Sequence, residues 1–287
     1  MNFFEKIKQE FKVKNNLNIL IIINLSMFMC IGFINLVVFL TKNEFNILDY
    51  LALSSDVKTF LRRPWSVISY MFSQSNFFHL LFNVLVLYWF GKIFLSYLSD
   101  KQLLGIYLLG GISGALFFIV AYNIIPVFFE FKNASFAVGA SASVMAVVFA
   151  IAFVMKNLRI NLMFFGQIKI LYIAIVVAVL DIINIAQGNA GGHITHLGGA
   201  IFGLVFALLY KKNIDITKGF TNFIYNFKTE NQNRSKKQNR EQNKSKNQSQ
   251  NQPKTQEQAK IDLILEKIKQ NGYASLSPEE KAFLFKK

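Results

Sequence analysis

Long apolar stretches separated by short polar ones fill most of the chain before its last quarter. A helix needs roughly 20 mostly apolar residues to cross a bilayer. Six stretches reach or approach that length, at residues 18–40, 78–98, 101–123, 140–156, 167–187 and 194–211. The pattern therefore predicts an all-α membrane protein built as a six-transmembrane-helix bundle.

The fourth and sixth stretches differ from the others at their beginnings. The fourth is short and polar at its start, and the sixth opens with Gly, His and Thr residues. A helix facing lipid does not tolerate such groups, whereas a helix bordering a water-filled cavity does. We therefore expect both segments to line a cavity inside the bundle.

Basic residues between the stretches predict how the bundle is oriented, because Lys and Arg concentrate on the cytoplasmic side. The N-terminal arm, residues 1–17, carries four lysines, and the sixth stretch runs into Lys211 and Lys212. The loop after the fifth stretch contains no Lys or Arg. Both termini are expected in the cytoplasm, an N-in/C-in arrangement.

The loop between the first two stretches is too long for a plain connection. It carries apolar runs at residues 47–53 and 67–72, which predict short helices lying in the membrane interface.

The C-terminal part has a different composition. Beyond the six-span domain, residues 18–212, we predict a basic, mostly disordered linker over residues 213–258, because Asn, Gln, Lys and Ser dominate it. A small helix-turn-helix motif is predicted at residues 259–287, where Ser277 and Glu280 form a capping-box pattern.

Composition agrees with a membrane protein. The chain is 53% hydrophobic and only 16% charged, which excludes an ordinary soluble domain. A single cysteine excludes a disulfide framework. The net charge of +15 lies mostly in the tail, where aromatic residues are not interleaved with the basic ones, so the lipid bilayer rather than nucleic acid is the expected partner.

The three histidines of the chain all lie where predicted spans begin. His79 and Asn83, spaced i,i+4, open the second span, and His193 and His196 open the sixth. Ser141 opens the fourth, and with both termini inside these three spans run in the same direction. Polar groups therefore gather at one depth, where ionisable residues are costly and usually functional.

Such a set of groups suits nucleophilic catalysis. A serine hydroxyl needs a base, usually histidine, and the oxyanion needs hydrogen-bond donors. Backbone N–H groups at a helix start, Asn83 and His79 are donors of the right kind. We assign Asp181, near the end of the fifth span, no role in orienting the base, so a Ser-His dyad fits better than a triad. Physical reasoning alone leaves Ser141 and Ser143 both open.

Other interpretations of the same residues remain. Small residues at span entrances commonly serve close helix packing, and His193 is interpreted as a loop-end or cavity-rim residue. A transporter would need charges along a path across the membrane, but these cluster at one depth. A zinc metalloprotease would need the H-E-x-x-H motif, which the chain lacks, although a metal site of His79, His193 and His196 stays formally open.

Taken together, these motifs resemble the rhomboid family of intramembrane serine proteases over about residues 18–211. The matching elements are His79-x-x-x-Asn83, Gly139-Ala140-Ser141, His196-x-x-Gly199-x-x-x-Gly203 and, in the first loop, Trp65.

The resemblance implies an enzyme in which Ser141 is the nucleophile and His196 the general base and acid. It also implies an oxyanion hole made by His79, Asn83 and the Ser141 backbone N–H. Supporting positions are Gly139, Gly199, Gly203 and Trp65. The implied substrates are membrane proteins with transmembrane segments, cut near the outer membrane boundary without a cofactor. A catalytically inactive, client-binding relative is the alternative.

Among the positions that depart from the usual family pattern are Ser66, Ala142 and Met145. Because Ser66 follows Trp65 where arginine is usual, we expect Arg62 or Arg63 to anchor the first loop instead. Richness in Asn, Lys, Ile and Phe hints at an AT-rich genome and a bacterial inner membrane.

Overall fold

The computed structural model describes residues 14–162, 166–226 and 256–284. The chain divides into two compact units, Met1–Ile224 and Tyr225–Lys287. Most of the expected N-terminal arm and residues 227–255 of the expected linker lie outside the described residues.

The first unit is helical, with two small sheets. Its helices are α1 (Asn16–Leu40), α2 (Leu48–Leu51), α3 (Val57–Arg62), α4 (Ser66–Ser69), α5 (Phe77–Leu95), α6 (Asp100–Ile124), α7 (Ser141–Val154), α8 (Ile170–Asn184) and α9 (Ala190–Tyr210). Single stretches of 3-10 helix occupy Tyr70–Phe72, Pro126–Phe131 and Ile185–Gln187. The antiparallel pairs are β1 (Leu53–Ser54) with β2 (Phe136–Ala137) and β3 (Arg159–Leu162) with β4 (Gly166–Lys169).

Among the described residues, five helices are long and apolar enough to cross a membrane: α1, α5, α6, α8 with its 3-10 extension, and α9. The protein is therefore a multi-pass helical membrane protein. The fourth predicted span is α7, whose 14 residues rise about 21 Å, less than the roughly 30 Å of a hydrocarbon core. The fifth span was predicted to begin at residue 167, but it begins at Ile170 because the preceding residues pair as β4.

Helix α7 forms the centre of the bundle. Every residue from Ala142 to Ala152 is buried, and α5, α6, α8 and α9 all pack on it. By contrast, α1 exposes large apolar side chains such as Phe33 and Phe39, as expected of a helix that faces lipid. The short α7 is thus enclosed by protein, and its polar start lies away from lipid.

The first loop folds into α2, α3 and α4, and contacts between its own residues stabilise it. The Trp65 indole Nε1 donates a hydrogen bond to the Tyr50 carbonyl at 2.9 Å. The Arg63 guanidinium donates to the Asp49 carbonyl and lies over the Tyr50 ring at 4.5 Å. Of the two arginines expected as anchors, Arg63 therefore makes these contacts beside Trp65.

Part of the segment expected as linker is folded. Residues 218–226 are helical, and Thr217 and Thr221 are buried against Gly105 of α6. The Gln102 amide donates to Asp215 at 2.8 Å. A Cβ on Gly105 would lie 2.7 Å from Thr217, so this glycine permits the close approach.

The second unit contains two further helices, Gln256–Asn271 and Pro278–Leu284. The Ser277 backbone N–H donates to Glu280 Oε2 at 2.8 Å, and the Glu280 N–H donates to Ser277 Oγ at 3.2 Å. This reciprocal pair is the capping box that the sequence pattern predicts. Lys267 adds an ion pair to Glu280 Oε1 at 2.9 Å.

The capping box predicts a local dependence on pH. The Ser277 N–H, and then Lys267, hold the pKa of Glu280 below its ordinary 4.5. A lowered folded-state pKa means that the stabilisation is present above the unfolded-state value and is lost as pH falls through the folded-state value. The protection factors of the amides of residues 279–284, which compare hydrogen exchange with the intrinsic rate at the same pH, should therefore fall in acid. Glu280→Gln should lower them at neutral pH, whereas Glu279→Gln should not; equal effects of the two variants would contradict this role of Glu280.

Candidate active site

Polar residues from four helices meet at one end of the bundle. Ser141 is the first residue of α7, His79 lies in the first turn of α5, and His193 and His196 lie in the first two turns of α9. Asp181 joins them from the last turn of α8. His193, expected at a loop end or cavity rim, lies inside α9 and is partly buried.

Glycines on α9 set the distance to α7. A Cβ on Gly199 would lie 2.0 Å from the Ala142 carbonyl oxygen, and one on Gly203 would lie 2.3 Å from the Ala146 carbonyl oxygen. The two backbones are therefore in direct contact, as the G-x-x-x-G spacing predicts. This contact brings the His196 turn of α9 beside the start of α7.

Gly139 occupies a position that only glycine fits. Its φ of +131° is rare for residues with a side chain, and its N–H donates to the Tyr70 carbonyl at 2.9 Å. A Cβ would lie 2.5 Å from His79 Cε1, 2.9 Å from His79 Nε2 and 3.5 Å from Ser141 Oγ. His79 and Ser141 therefore face the same small space, which Gly139 leaves open.

The two candidate serines have different environments. Ser141 is partly exposed at the helix start, where the first backbone N–H groups have no partner within the helix. Ser143 is fully buried and points at Gly111, and its hydroxyl has no hydrogen-bond partner in the part of the chain that the structure describes. Of the two serines, only Ser141 is accessible at the surface of the bundle.

Asp181 contacts the histidine that the resemblance names as the base. His196 Nδ1 lies 3.0 Å from Asp181 Oδ1. Because an ionised carboxylate only accepts hydrogen bonds, Nδ1 carries the hydrogen, and Nε2 is left with a free lone pair. The expectation that Asp181 has no part in orienting the base is therefore corrected: α8 and α9 bring the two side chains together.

His193 shares the same carboxylate. Its Nδ1 lies 2.7 Å from Asp181 Oδ1, so both histidines contact one oxygen. The other oxygen, Oδ2, is buried without a hydrogen-bond partner among the described residues. One ligand atom from each of Asp181, His193 and His196 lies within 4.8 Å of the others. This set differs from the metal site left open above, since Asp181 takes the place of His79.

His79 is held by its neighbours in a defined orientation. Asn76 Nδ2 donates to Ser75 Oγ at 3.2 Å, and Ser75 Oγ lies 3.0 Å from His79 Nδ1. Since the Ser75 oxygen accepts from Asn76, its own hydrogen can be donated to Nδ1. In that arrangement the ring hydrogen of His79 is on Nε2, the nitrogen that faces Gly139 and Ser141.

A buried chain of side chains fixes the Asn83 amide. Asn83 Nδ2 donates to Gln74 Oε1 at 2.9 Å, and Gln74 Nε2 donates to Asn24 Oδ1 at 3.0 Å. Asn24 Nδ2 in turn donates to the Tyr107 hydroxyl at 3.0 Å, and that hydroxyl donates to the Met71 carbonyl. One hydrogen of the Asn83 amide remains for another acceptor.

The sequence pattern did not point to Gln74 or Asn24. Gln74 lies in a polar run between the first two predicted spans, and Asn24 lies inside the first of them. Only the fold, which packs α1 against the end of the first loop, joins the two side chains. An isolated Asn inside an apolar stretch, which is costly in a membrane, was the available signal.

Ser141 and His196 are not hydrogen-bonded to each other in this conformation. Within the described part of the chain, Ser141 Oγ makes no hydrogen bond. Catalytic hydrogen bonds are often long before substrate binds and tighten in the complex. The geometry therefore places Ser141, at a helix start, beside His79, and it orients His196 through Asp181 on the neighbouring helix α8.

A cavity of about 730 Å³ is lined by parts of the segments that precede α7 and α9, and by none of the site residues named above. Its walls include Phe118, Tyr122 and Phe128 together with residues 188–191, at the start of α9. Ser135 and Phe136, which precede Gly139, also line it. The cavity is thus flanked by the segments that lead to Ser141 and to His193.

A family model described as the Rhomboid domain matches residues 61–213, just over half of the chain. The chain belongs to the rhomboid family. The rhomboid is 26% identical over 147 residues to RHOMBOID-like protein 12, a mitochondrial protein of Arabidopsis thaliana. That match covers 48% of this chain and 44% of the plant protein, so the chain spans less than half the length of this relative. A model of a family of unknown function, DUF6576, matches residues 244–285.

All three positions named above as departures from the rhomboid pattern are buried in the bundle. Ala142 is fully buried and lies against Gly114 of α6, where a Cβ on that glycine would be 2.7 Å away. Met145 lies one turn later in the buried core around α7. Ser66 is buried at the start of α4, and nothing in the structure explains its hydroxyl.

Proposed function

We propose that this rhomboid is an intramembrane serine endopeptidase in which Ser141 attacks the substrate and His196 acts as general base and acid. The observation that carries the proposal is the arrangement at one end of the bundle: Ser141 and His79 face one space, and Asp181 orients His196. Asp181 enlarges the expected dyad to three residues, with Asp181 as a positioning residue.

In the proposed reaction, Ser141 Oγ attacks the scissile carbonyl carbon while its proton passes to His196 Nε2. The resulting imidazolium is stabilised by Asp181 through the Nδ1 hydrogen bond. Collapse of the tetrahedral intermediate breaks the C–N bond, and His196 returns the proton to the leaving amine. Water then hydrolyses the acyl-enzyme by the same steps, and Ser141 is regenerated.

The proposed oxyanion hole has three donors. The Ser141 backbone N–H lies at the start of α7, where the helix dipole also favours negative charge. His79 supplies Nε2–H, as its Ser75 contact supports, and Asn83 supplies its remaining amide hydrogen. The Gln74 and Asn24 chain keeps the Asn83 amide in place.

We propose membrane proteins with transmembrane segments as substrates. A peptide bond inside a helix is shielded, so a segment that unwinds locally should be cut most readily. The cavity beside Ser135 and residues 188–191 is a suitable place for residues flanking the cut. The chemistry of the proposal needs no cofactor.

The proposed setting is a six-span domain over residues 18–212 with both termini in the cytoplasm and the active site near the outer boundary of a bacterial inner membrane. Residues 213–258 would form the linker, whose first part is folded, and residues 259–287 the two-helix motif.

A cleavage assay tests the proposal. The purified protein in detergent would be incubated with a panel of single-span model substrates, and the fragments identified by mass. Cleavage within or beside the transmembrane segment supports a protease. No cleavage of any substrate, together with no labelling by a serine-directed fluorophosphonate, would instead support the catalytically inactive, client-binding alternative.

Asp181→Asn should lower kcat by about 100-fold or more with little change in KM. An asparagine can offer its amide nitrogen to His196 Nδ1, which favours the tautomer with its hydrogen on Nε2, and that tautomer cannot accept the Ser141 proton. The measurement is a steady-state profile of cleavage against pH, since loss of the imidazolium partner should also alter the pH dependence of kcat. An unchanged profile and unchanged kcat would show that Asp181 does not act through His196.

A further inference from the structure

We propose that Asp181, His193 and His196 form a binding site for a divalent transition metal, Zn²⁺ being the best match, and that the bound metal switches the catalytic base off. This inference rests on the proposed function for its effect on cleavage. The metal site itself stands on the geometry of the three side chains.

The three residues supply the ligand types that Zn²⁺ prefers. Zn²⁺ binds His nitrogen and carboxylate oxygen at about 2.0–2.2 Å in tetrahedral geometry, so neighbouring ligand atoms are roughly 3.4 Å apart. His193 and His196 lie three residues apart on one face of α9, and Asp181 faces them from α8. Their ligand atoms all lie within 4.8 Å of one another, and metal binding would bring them to the tetrahedral spacing.

The Asp181 carboxylate gives a second, independent reason to expect a bound cation. Its side chain is only 7% exposed, both imidazole Nδ1 atoms lie on Oδ1, and Oδ2 has no hydrogen-bond partner among the described residues. A buried carboxylate oxygen without a partner is costly. A cation bound between the two imidazole rings would neutralise the negative charge of this carboxylate.

The histidines remain reachable from outside the bundle. Their side chains are 20% and 24% exposed, for His193 and His196 respectively, so an ion can enter without unfolding the site. Three protein ligands leave a fourth tetrahedral position for water.

Metal binding and catalysis require opposite states of His196. Catalysis needs the hydrogen on Nδ1, held by Asp181, and a lone pair on Nε2. A metal on Nδ1 binds through the lone pair of that nitrogen and displaces its hydrogen. The neutral ring then carries its one hydrogen on Nε2, so the acceptor for the Ser141 proton is lost. Since general-base catalysis contributes about 10²- to 10⁴-fold, saturating Zn²⁺ should lower cleavage by roughly 100-fold or more.

His193 separates the two roles, because it is a metal ligand in this proposal and takes no part in the reaction steps. Each variant's inhibition is measured relative to its own cleavage rate in the presence of chelator, because His193 contacts Asp181. On that scale His193→Ala should weaken Zn²⁺ inhibition by roughly 10- to 100-fold. Glu44→Gln, an exposed carboxylate change in the first loop, is the matched control and should leave inhibition unchanged. Equal Zn²⁺ inhibition of His193→Ala and the unmodified protein would overturn the proposal.

Co²⁺ binding tests the site without any cleavage assay. Full-length Ser141→Ala protein without a polyhistidine tag, in detergent, would be titrated with Co²⁺ and its visible ligand-field absorption recorded. We expect a saturable tetrahedral spectrum that is lost when His193→Ala or Asp181→Asn is added. No spectrum, or the same spectrum in those variants, would overturn the site. Failure of the unmodified protein to cleave any substrate would count against the proposed function alone, because this titration does not depend on it.

Discussion

Ser141→Ala is expected to abolish proteolysis, lowering the cleavage rate by at least about 10⁴-fold. Removing the nucleophile of a serine protease leaves only the residual effect of substrate binding and the oxyanion hole. Substrate affinity should change little, because Ser141 lies at the helix start and alanine fits there. The measurement is cleavage of a single-span substrate under single-turnover conditions.

Ser143→Ala is the matched control for that experiment. Ser143 lies two residues further along α7, is fully buried and makes no hydrogen bond within the described residues. Its hydroxyl points at Gly111, so alanine should be accommodated with cleavage retained. Loss of cleavage in Ser143→Ala with activity retained in Ser141→Ala would move the nucleophile to Ser143.

Gly199→Leu is expected to disrupt the bundle itself. Even a single Cβ at this position would lie 2.0 Å from the backbone oxygen of Ala142, and backbone cannot rotate away as a side chain can. Separation of α7 from α9 should destabilise the protein by about 3 kcal/mol and should also abolish cleavage, because His196 moves away from Ser141. Thermal unfolding in detergent measures the first effect.

Gly32→Ala provides the comparison for Gly199→Leu. Gly32 lies within α1, and a Cβ there would meet no atom within 4 Å. Its substitution should leave the unfolding temperature and the cleavage rate nearly unchanged, or raise stability slightly through helix propensity. If Gly199→Leu unfolded at the same temperature as Gly32→Ala, the close packing of α7 and α9 would not be needed for the fold.

The membrane helices could be predicted closely because bilayer thickness imposes a length that apolar runs reveal directly. The prediction was least accurate where tertiary structure intervenes. Residues 167–169 adjoin the apolar run of the fifth span, yet they pair as β4. Helix α7 begins only after the turn at Gly139 and ends at Val154, so it is shorter than a span. The resemblance to rhomboids, which rested on short motifs, is confirmed by the family match.

The candidate site was predictable only in part. Residues that open helices, such as His79, Ser141 and His196, could be grouped because their spans run in the same direction. Asp181 could not be paired with His196, because its position depends on how α8 packs on α9 rather than on any spacing along the chain. Gln74 and Asn24 were missed for the same reason, since their contacts join a loop to a distant helix.

Labelling by a serine-directed fluorophosphonate tests the central claim most directly. The probe would be applied to the unmodified protein, His196→Ala and Ser143→Ala, and the modified residue mapped by peptide mass. The account predicts labelling at Ser141 in the unmodified protein and in Ser143→Ala, and its loss in His196→Ala, since the hydroxyl is a weak nucleophile without its base. Labelling at another serine, or equal labelling of Ser141 without His196, would contradict it.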